Sequence, residues 1–247
     1  MKRKKPESEE KNENKEDRQR QELFEKIASL THEDVDWSCV GGLREVKSRL
    51  NEALIQPLLR PDLFQGSRAP PKGVLLFGPP GNGKTLIAKC IATELSKQST
   101  TQNKKCTFLS VQSSDLMSKW VGESEKSIKA LFDYAEENQP AVIFVDEIDS
   151  VFQKRTEESK MTDVRIINEF LTRLDGVGKS KSSSVYMIGA TNRPNMIDDA
   201  ALRRLTLKFY IPLPDADGIT SILKHQLGKL KHALTEKDFL AMKINLK

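Results

Sequence analysis

From about residue 43 onward, short runs of apolar residues alternate with stretches in which apolar positions recur every three or four residues. The runs at 73–77, 107–111, 141–145 and 185–188 are of strand length and nearly continuous in apolar residues, the pattern of strands buried on both faces. Helical spacing occupies 84–96, 123–137 and 163–174 between them. This alternation predicts an α/β fold, with βα units building a parallel sheet sandwiched by helices. Ahead of the first strand, Leu43, Val46, Leu50 and Leu54 predict an amphipathic helix leading to Pro57 and Pro61. Beyond the fourth, a strand at 208–211 and a helix at 218–230 are expected.

Composition narrows the class. A chain of 247 residues holds one α/β domain and a small appendage. The expected division is a charged, disordered leader at 1–31, an α/β domain at 32–214 and a small helical appendage at 215–247. No large apolar residue occurs between Lys2 and Glu22, so that segment cannot bury a core. Its basic start, Lys2 to Lys5, reads as a solvated end, with a nuclear-import signal or polyanion-binding tail as alternatives. The net charge of +5 arises from 40 basic and 35 acidic residues interspersed along the chain, which argues solubility rather than nucleic-acid binding. Three cysteines without CxxC spacing fit a reducing compartment and no zinc site. The apolar runs are too short to span a bilayer, so a cytoplasmic location is expected, cytoskeleton-associated or nuclear as variants.

The chemistry concentrates at two strand ends. Gly78-Pro79-Pro80-Gly81-Asn82-Gly83-Lys84-Thr85 matches GxxxxGK[ST] between a strand and a helix, the context in which such a loop cradles phosphates. Its glycines let backbone N–H groups turn inward, and the following helix aims its positive end at the anion. Pro80, Gly81, Asn82 and Gly83 would line the phosphates, Lys84 would reach the β and γ phosphates of ATP, and Thr85 would ligate Mg²⁺. The second strand end is Val142-Ile143-Phe144-Val145-Asp146-Glu147. Asp146 emerges where α/β folds place ligands and would hold the Mg²⁺ hydration shell; Glu147 is placed to orient and polarise the attacking water.

With these two motifs, Gly189-Ala190-Thr191-Asn192-Arg193-Pro194 and Ala201-Leu202-Arg203-Arg204 resemble the second region of homology of the AAA ATPases. The resemblance covers roughly residues 34–235. Within the class it is to the group containing spastin, katanin, fidgetin and the ESCRT-disassembling ATPase. It implies a P-loop NTPase fold, with Asn192 sensing the γ-phosphate and Arg203 and Arg204 as arginine fingers reaching a neighbour's site, so that the active form is a ring, normally a hexamer. Asp36-Trp37-Ser38-Cys39-Val40-Gly41-Gly42 resembles the segment lying against adenine, which would put Gly42 in the base pocket; Cys39 stands where relatives usually carry an acid.

The resemblance also implies a polypeptide substrate. Lys119, Trp120 and Val121 stand where relatives carry the first pore loop, whose aromatic residue grips a threaded chain, with Lys119 favouring acidic segments such as tubulin C-terminal tails. The second pore loop falls near 157–165, where only Arg165 survives from the Arg-Arg pair of the severing enzymes. Arg68-Ala69-Pro70 and Asn82 are spastin- and fidgetin-like, whereas Ser113-Ser114-Asp115-Leu116-Met117-Ser118-Lys119-Trp120 is equally like the ESCRT-disassembling ATPase, so microtubule severing and ESCRT-filament disassembly both stay open. Relatives continue beyond a segment like Leu234-Thr235-Glu236-Lys237-Asp238-Phe239 into further lid helices, so an incomplete C-terminal lid is expected. A nucleotide-binding regulatory subunit with impaired turnover is therefore the alternative to an active ATPase. A clamp-loader-like protein acting on nucleic acid is a weaker third reading, which Trp120 argues against.

Overall fold

A computed structural model of the chain describes residues 35–60, 63–64, 71, 73–99, 106–116, 123–154, 161–176, 184–228, 230, 234–235 and 238–239. The expected leader at 1–31 and the first pore loop, with Lys119, Trp120 and Val121, lie outside the described residues. A short 3-10 turn, Trp37–Cys39, precedes helix α1, Arg44–Leu50. A π-helical segment, Asn51–Ile55, continues it into α2, Gln56–Leu59. There follow β1 (Gly73–Phe77), α3 (Lys84–Ser99), β2 (Thr107–Gln112), α4 (Ser113–Leu116), α5 (Glu123–Glu137) and β3 (Ala141–Asp146). The chain continues through α6 (Ile148–Val151), α7 (Met161–Gly176), β4 (Val185–Thr191), α8 (Asp199–Arg204), β5 (Leu207–Tyr210) and α9 (Ala216–Leu227).

The five strands form one parallel sheet in the order β2-β3-β4-β1-β5. Every residue of β4 is buried, as expected for a central strand of a sheet covered on both faces. Alternation along each strand divides the core in two. On one face Leu75, Leu109, Ile143, Val145 and Met187 meet Ile128, Leu131, Phe132 and Ala135 of α5 and Ile166, Phe170 and Leu174 of α7. The α5 positions recur at i, i+3, i+4 and i+7, one helical stripe. Phe170 sits edge-on to both Phe132 and Phe152, with ring centres 5.2 and 5.1 Å away. On the other face Val74, Leu76, Val142, Phe144 and Ile188 meet Ile87, Ile91 and Leu95 of α3 and Leu50 and Leu54 from the leading helix.

Two details sharpen the expected elements. The leading helix runs through Pro57 and ends at Leu59, ahead of Pro61. The N–H of Gln56 bonds to Asn51 O, five residues back; this widened turn lies just where a proline ring would otherwise strike the preceding turn. Strand β4 extends three residues past the expected end at 188. A Cβ on Gly189 would lie 2.5 Å from Ile148 Cδ1, so glycine is there to admit α6 against the strand and not to turn the chain.

Candidate nucleotide site

Strand order decides what meets at the site. The C-terminal ends of β3, β4 and β1 are neighbours, so the carboxylates after β3, Asn192 after β4 and the loop after β1 share one edge, the ligand edge of an open α/β sheet. They line a cleft of about 500 Å³ formed by Pro80, Gly81, Asn82, Gly83, Lys84 and Thr85 with Leu86, Lys89, Asp146, Glu147 and Asn192.

The loop holds its shape through its own side chains. Gly83 has φ +84°, a conformation that a side chain would strain. A Cβ on Gly78 would lie 2.2 Å from Ile211 O, so the loop leaves β1 hard against the segment after β5. The Asn82 side-chain amide also donates to Ile211 O. Lys84, only 7% exposed, donates to Gly78 O at 3.1 Å, Pro79 O at 2.7 Å and Asn82 Oδ1 at 3.0 Å. Burial lowers its pKa below the ordinary lysine value, opposed in part by the charge of Asp146. These acceptors are neutral oxygens. Phosphate oxygens are anionic and make stronger charge-assisted bonds to an ammonium, so the donor set fits a polyphosphate.

Thr85 and Asp146 meet across the cleft, Thr85 Oγ1 donating to Asp146 Oδ2 at 3.2 Å. A hydroxyl and a carboxylate at this separation are hard oxygen donors of the kind that Mg²⁺ takes. Asp146 Oδ1 accepts the N–H of Glu147 at 2.9 Å. Glu147 itself is exposed, with φ 48° and ψ 44°, a left-handed conformation that is uncommon for a residue with a side chain. Among the described residues no group of three or more His, Cys, Asp and Glu is arranged to hold a metal, so oxygen ligands would come from this pair together with phosphate and water.

One contributor escaped the sequence reading. Thr191, buried at the end of β4, donates to Asp149 Oδ1 at 2.6 Å and accepts the N–H of Arg193 at 2.8 Å. The backbone on both sides of Asn192 is thereby tied to α6, the helix that follows Glu147. Spacing held a signal, since Asp149 stands three residues beyond Asp146. Lys89 and Leu86 were likewise missed; Lys89 lies one helical turn past Thr85.

The remaining expected residues that the structure describes lie off the cleft. Gly42, at φ +65°, faces Asp215 and Gly218 near the start of α9. Arg165 is an exposed residue of α7. Arg203 and Arg204 end α8, and their surroundings differ. Arg204 makes a two-pronged pair with Asp175 of α7, at 2.9 and 2.7 Å, and donates to Ala200 O at 3.0 Å; the aspartate raises its pKa further above the usual guanidinium value. The exposed Arg203 donates to Asp199 O at 3.3 Å.

Residues 74–213 match the model of the ATPase family associated with various cellular activities (AAA). The chain belongs to the AAA family. Fidgetin-like protein 1 of Xenopus laevis is 47% identical over 208 residues, covering 84% of this chain and 30% of that protein. Vacuolar protein sorting-associated protein 4B of Mus musculus is 46% identical over 206 residues, covering 83% of this chain and 44% of that one. The chain thus spans less than half the length of these curated relatives. A crystal structure of the FIGL-1 AAA domain in complex with ADP superposes with a TM-score of 0.74 at 40% identity, covering 91% of this chain and 72% of that one. The parallel five-stranded sheet is the P-loop NTPase fold of that AAA domain, in agreement with the fold class expected from the sequence.

Proposed function

We propose that the chain is an AAA motor that binds ATP with Mg²⁺ and hydrolyses it to ADP and phosphate. The observation that carries this reading is the Thr85–Asp146 contact at 3.2 Å, on a cleft that Lys84, Glu147 and Asn192 also line. Lys84 would exchange loop carbonyls for the β and γ phosphates, with the loop N–H groups and the positive start of α3 available to the same anion. Thr85 and Asp146 would hold the metal, which supplies neutralisation of phosphate charge when bound. Glu147 orients a water and draws on its proton, while the Asn192 amide holds the phosphate side of the same geometry. The ADP bound in the FIGL-1 AAA domain supports nucleotide binding here.

The finer reading is a ring, normally a hexamer, in which Arg203 and Arg204 of one subunit complete the site of the next. The ring pulls on a polypeptide gripped by Lys119, Trp120, Val121 and Arg165, and Gly42 borders the base. Similarity to fidgetin-like proteins favours tubulin C-terminal tails and microtubule severing in the cytoplasm, at the cytoskeleton or in the nucleus. The comparable identity to VPS4B keeps ESCRT filament subunits as the second substrate.

The test is the ATPase rate against protein concentration, with intact microtubules, tail-stripped microtubules or neither, in wild type and Glu147→Gln. Hydrolysis that steepens with concentration and vanishes in Glu147→Gln while nucleotide binding persists supports the motor. Stimulation by intact microtubules alone selects severing. Tight binding without turnover at any concentration would leave the regulatory-subunit reading in its place.

A further inference from the structure

Outside the residues that line the phosphate cleft, three reactive side chains from two distant parts of the chain converge. Cys39 Sγ lies 3.2 Å from His225 Nε2, and Ser38 Oγ lies 3.4 Å from His225 Nδ1. Cys39 and Ser38 belong to the 3-10 turn Trp37–Cys39, and His225 to α9. The turn is fixed from below. Asp36 Oδ1 accepts the N–H of Ser38 at 2.7 Å, and Lys47 Nζ donates to Trp37 O and Val40 O at 3.0 and 2.6 Å. The facing surfaces are close as well, since a Cβ on Gly41 would lie 2.2 Å from Gly218 O.

We propose that Cys39 is a thiol-modification site with His225 as its base, that it takes hydroperoxides, and that its oxidation loosens the seat of α9 on the segment 36–42. With Nδ1–H donating to Ser38 Oγ, Nε2 is left to accept the thiol proton, the arrangement that activates a cysteine nucleophile. The thiolate attacks one peroxide oxygen, so an S–O bond forms and the O–O bond breaks. Sulfur loses two electrons, the peroxide gains them, and the proton held on His225 passes to the leaving hydroxide or alkoxide, which departs as water or an alcohol. The product is a sulfenic acid, and its added oxygen occupies the short gap between sulfur and imidazole.

The other two cysteines offer no comparable site. Cys90 is fully buried with its thiol donating to Asp36 O at 3.3 Å, and Cys106 is buried at the start of β2. Burial pushes both thiols up to about 12, where thiolate is scarce. Cys39 is half-buried and faces a base.

The inference rests on the contact between the turn and α9, not on the phosphate cleft, and is tested without nucleotide. Iodoacetamide is added to the native protein and alkylation followed at each cysteine by peptide mass spectrometry, in wild type, His225→Asn and Ser38→Ala. Cys39 is expected to react first, with its rate falling about fivefold or more in His225→Asn and by a smaller factor in Ser38→Ala. Hydrogen peroxide with a sulfenic-acid trap is expected to label Cys39 before Cys90 and Cys106, and amide exchange in α9 is expected to quicken after oxidation. Cys39 rates equal in all three proteins, or equal labelling of the three cysteines, would overturn the site. Labelling at Cys39 with unchanged exchange in α9 would overturn the link to the helix.

Discussion

The hydroxyl of Thr191 donates to the carboxylate of Asp149 at 2.6 Å, joining the end of β4 to the helix that follows β3. Glu147 and Asn192 flank this bond, one just before α6 and the other just after β4, so it fixes the separation of the two groups assigned to the water and the phosphate. Thr191→Val and Asp149→Asn are each expected to lower the ATP turnover number about tenfold, since small misplacements at reacting groups cost that much or more. Nucleotide affinity should hold within about twofold, because the phosphate loop is untouched. Turnover and binding measured side by side decide it; equal losses in both would mean that the bond merely stabilises the fold.

Arg203 and Arg204 should separate by readout. Arg203→Ala removes an exposed guanidinium with one backbone partner, so it should cost about a hundredfold or more in turnover if it reaches a neighbour's site, with no change in melting temperature. Arg204→Ala also breaks the pair with Asp175 between α7 and α8. That pair is partly exposed and contributes at most about 1 kcal/mol, so a small fall in stability should accompany its loss of turnover. Asp175→Asn reproduces the stability change alone if Arg204 also acts in trans.

Lys84→Met should abolish phosphate binding while leaving the apo fold intact or more stable. The buried ammonium is disfavoured relative to water, as its lowered pKa records. A depressed lysine pKa means that the unfolded chain binds more protons between the folded value and 10.5, so this contribution improves as pH rises through that window. The difference in unfolding free energy between wild type and Lys84→Met, followed from pH 7 to 10.5, should therefore shift toward wild type.

The thiols act in the opposite sense. Cys90 and Cys106 are raised from 9.0 to about 12, so in the unfolded chain they ionise first. Their contribution to stability is unchanged below pH 9 and declines between pH 9 and 12, by on the order of 1 kcal/mol per pH unit for each thiol. Denaturant unfolding of wild type and of Cys90→Ala in that range should show a shallower decline in the variant.

Much of this was legible in the sequence because burial and phosphate chemistry leave local marks. The strand at 73–77 and the helix at 123–137 coincide with β1 and α5, since a doubly buried strand and a one-sided helix write different periods. Helices without a full stripe, α4, α6 and α8, were missed at four to six residues each. The loop from Pro80 to Thr85 was readable because its glycines and lysine are adjacent in the chain. Asp149 was marked only by its spacing from Asp146, and its role was not legible because it depends on Thr191, forty-two residues away, and on a strand order that no local pattern encodes. The Cys39–His225 contact spans 186 residues and was invisible for the same reason.

The placement of β1 between β4 and β5 has a consequence for how the molecule comes into being. Gly73 finds its partner Met187 only after more than a hundred intervening residues, a high-contact-order pairing that is slow to close. During synthesis the phosphate loop is made before β4 and Ile211, against which it is braced. Competence to hold nucleotide therefore arrives with the last strands, and a nascent chain gains the ligand's stabilisation only after its sheet is complete.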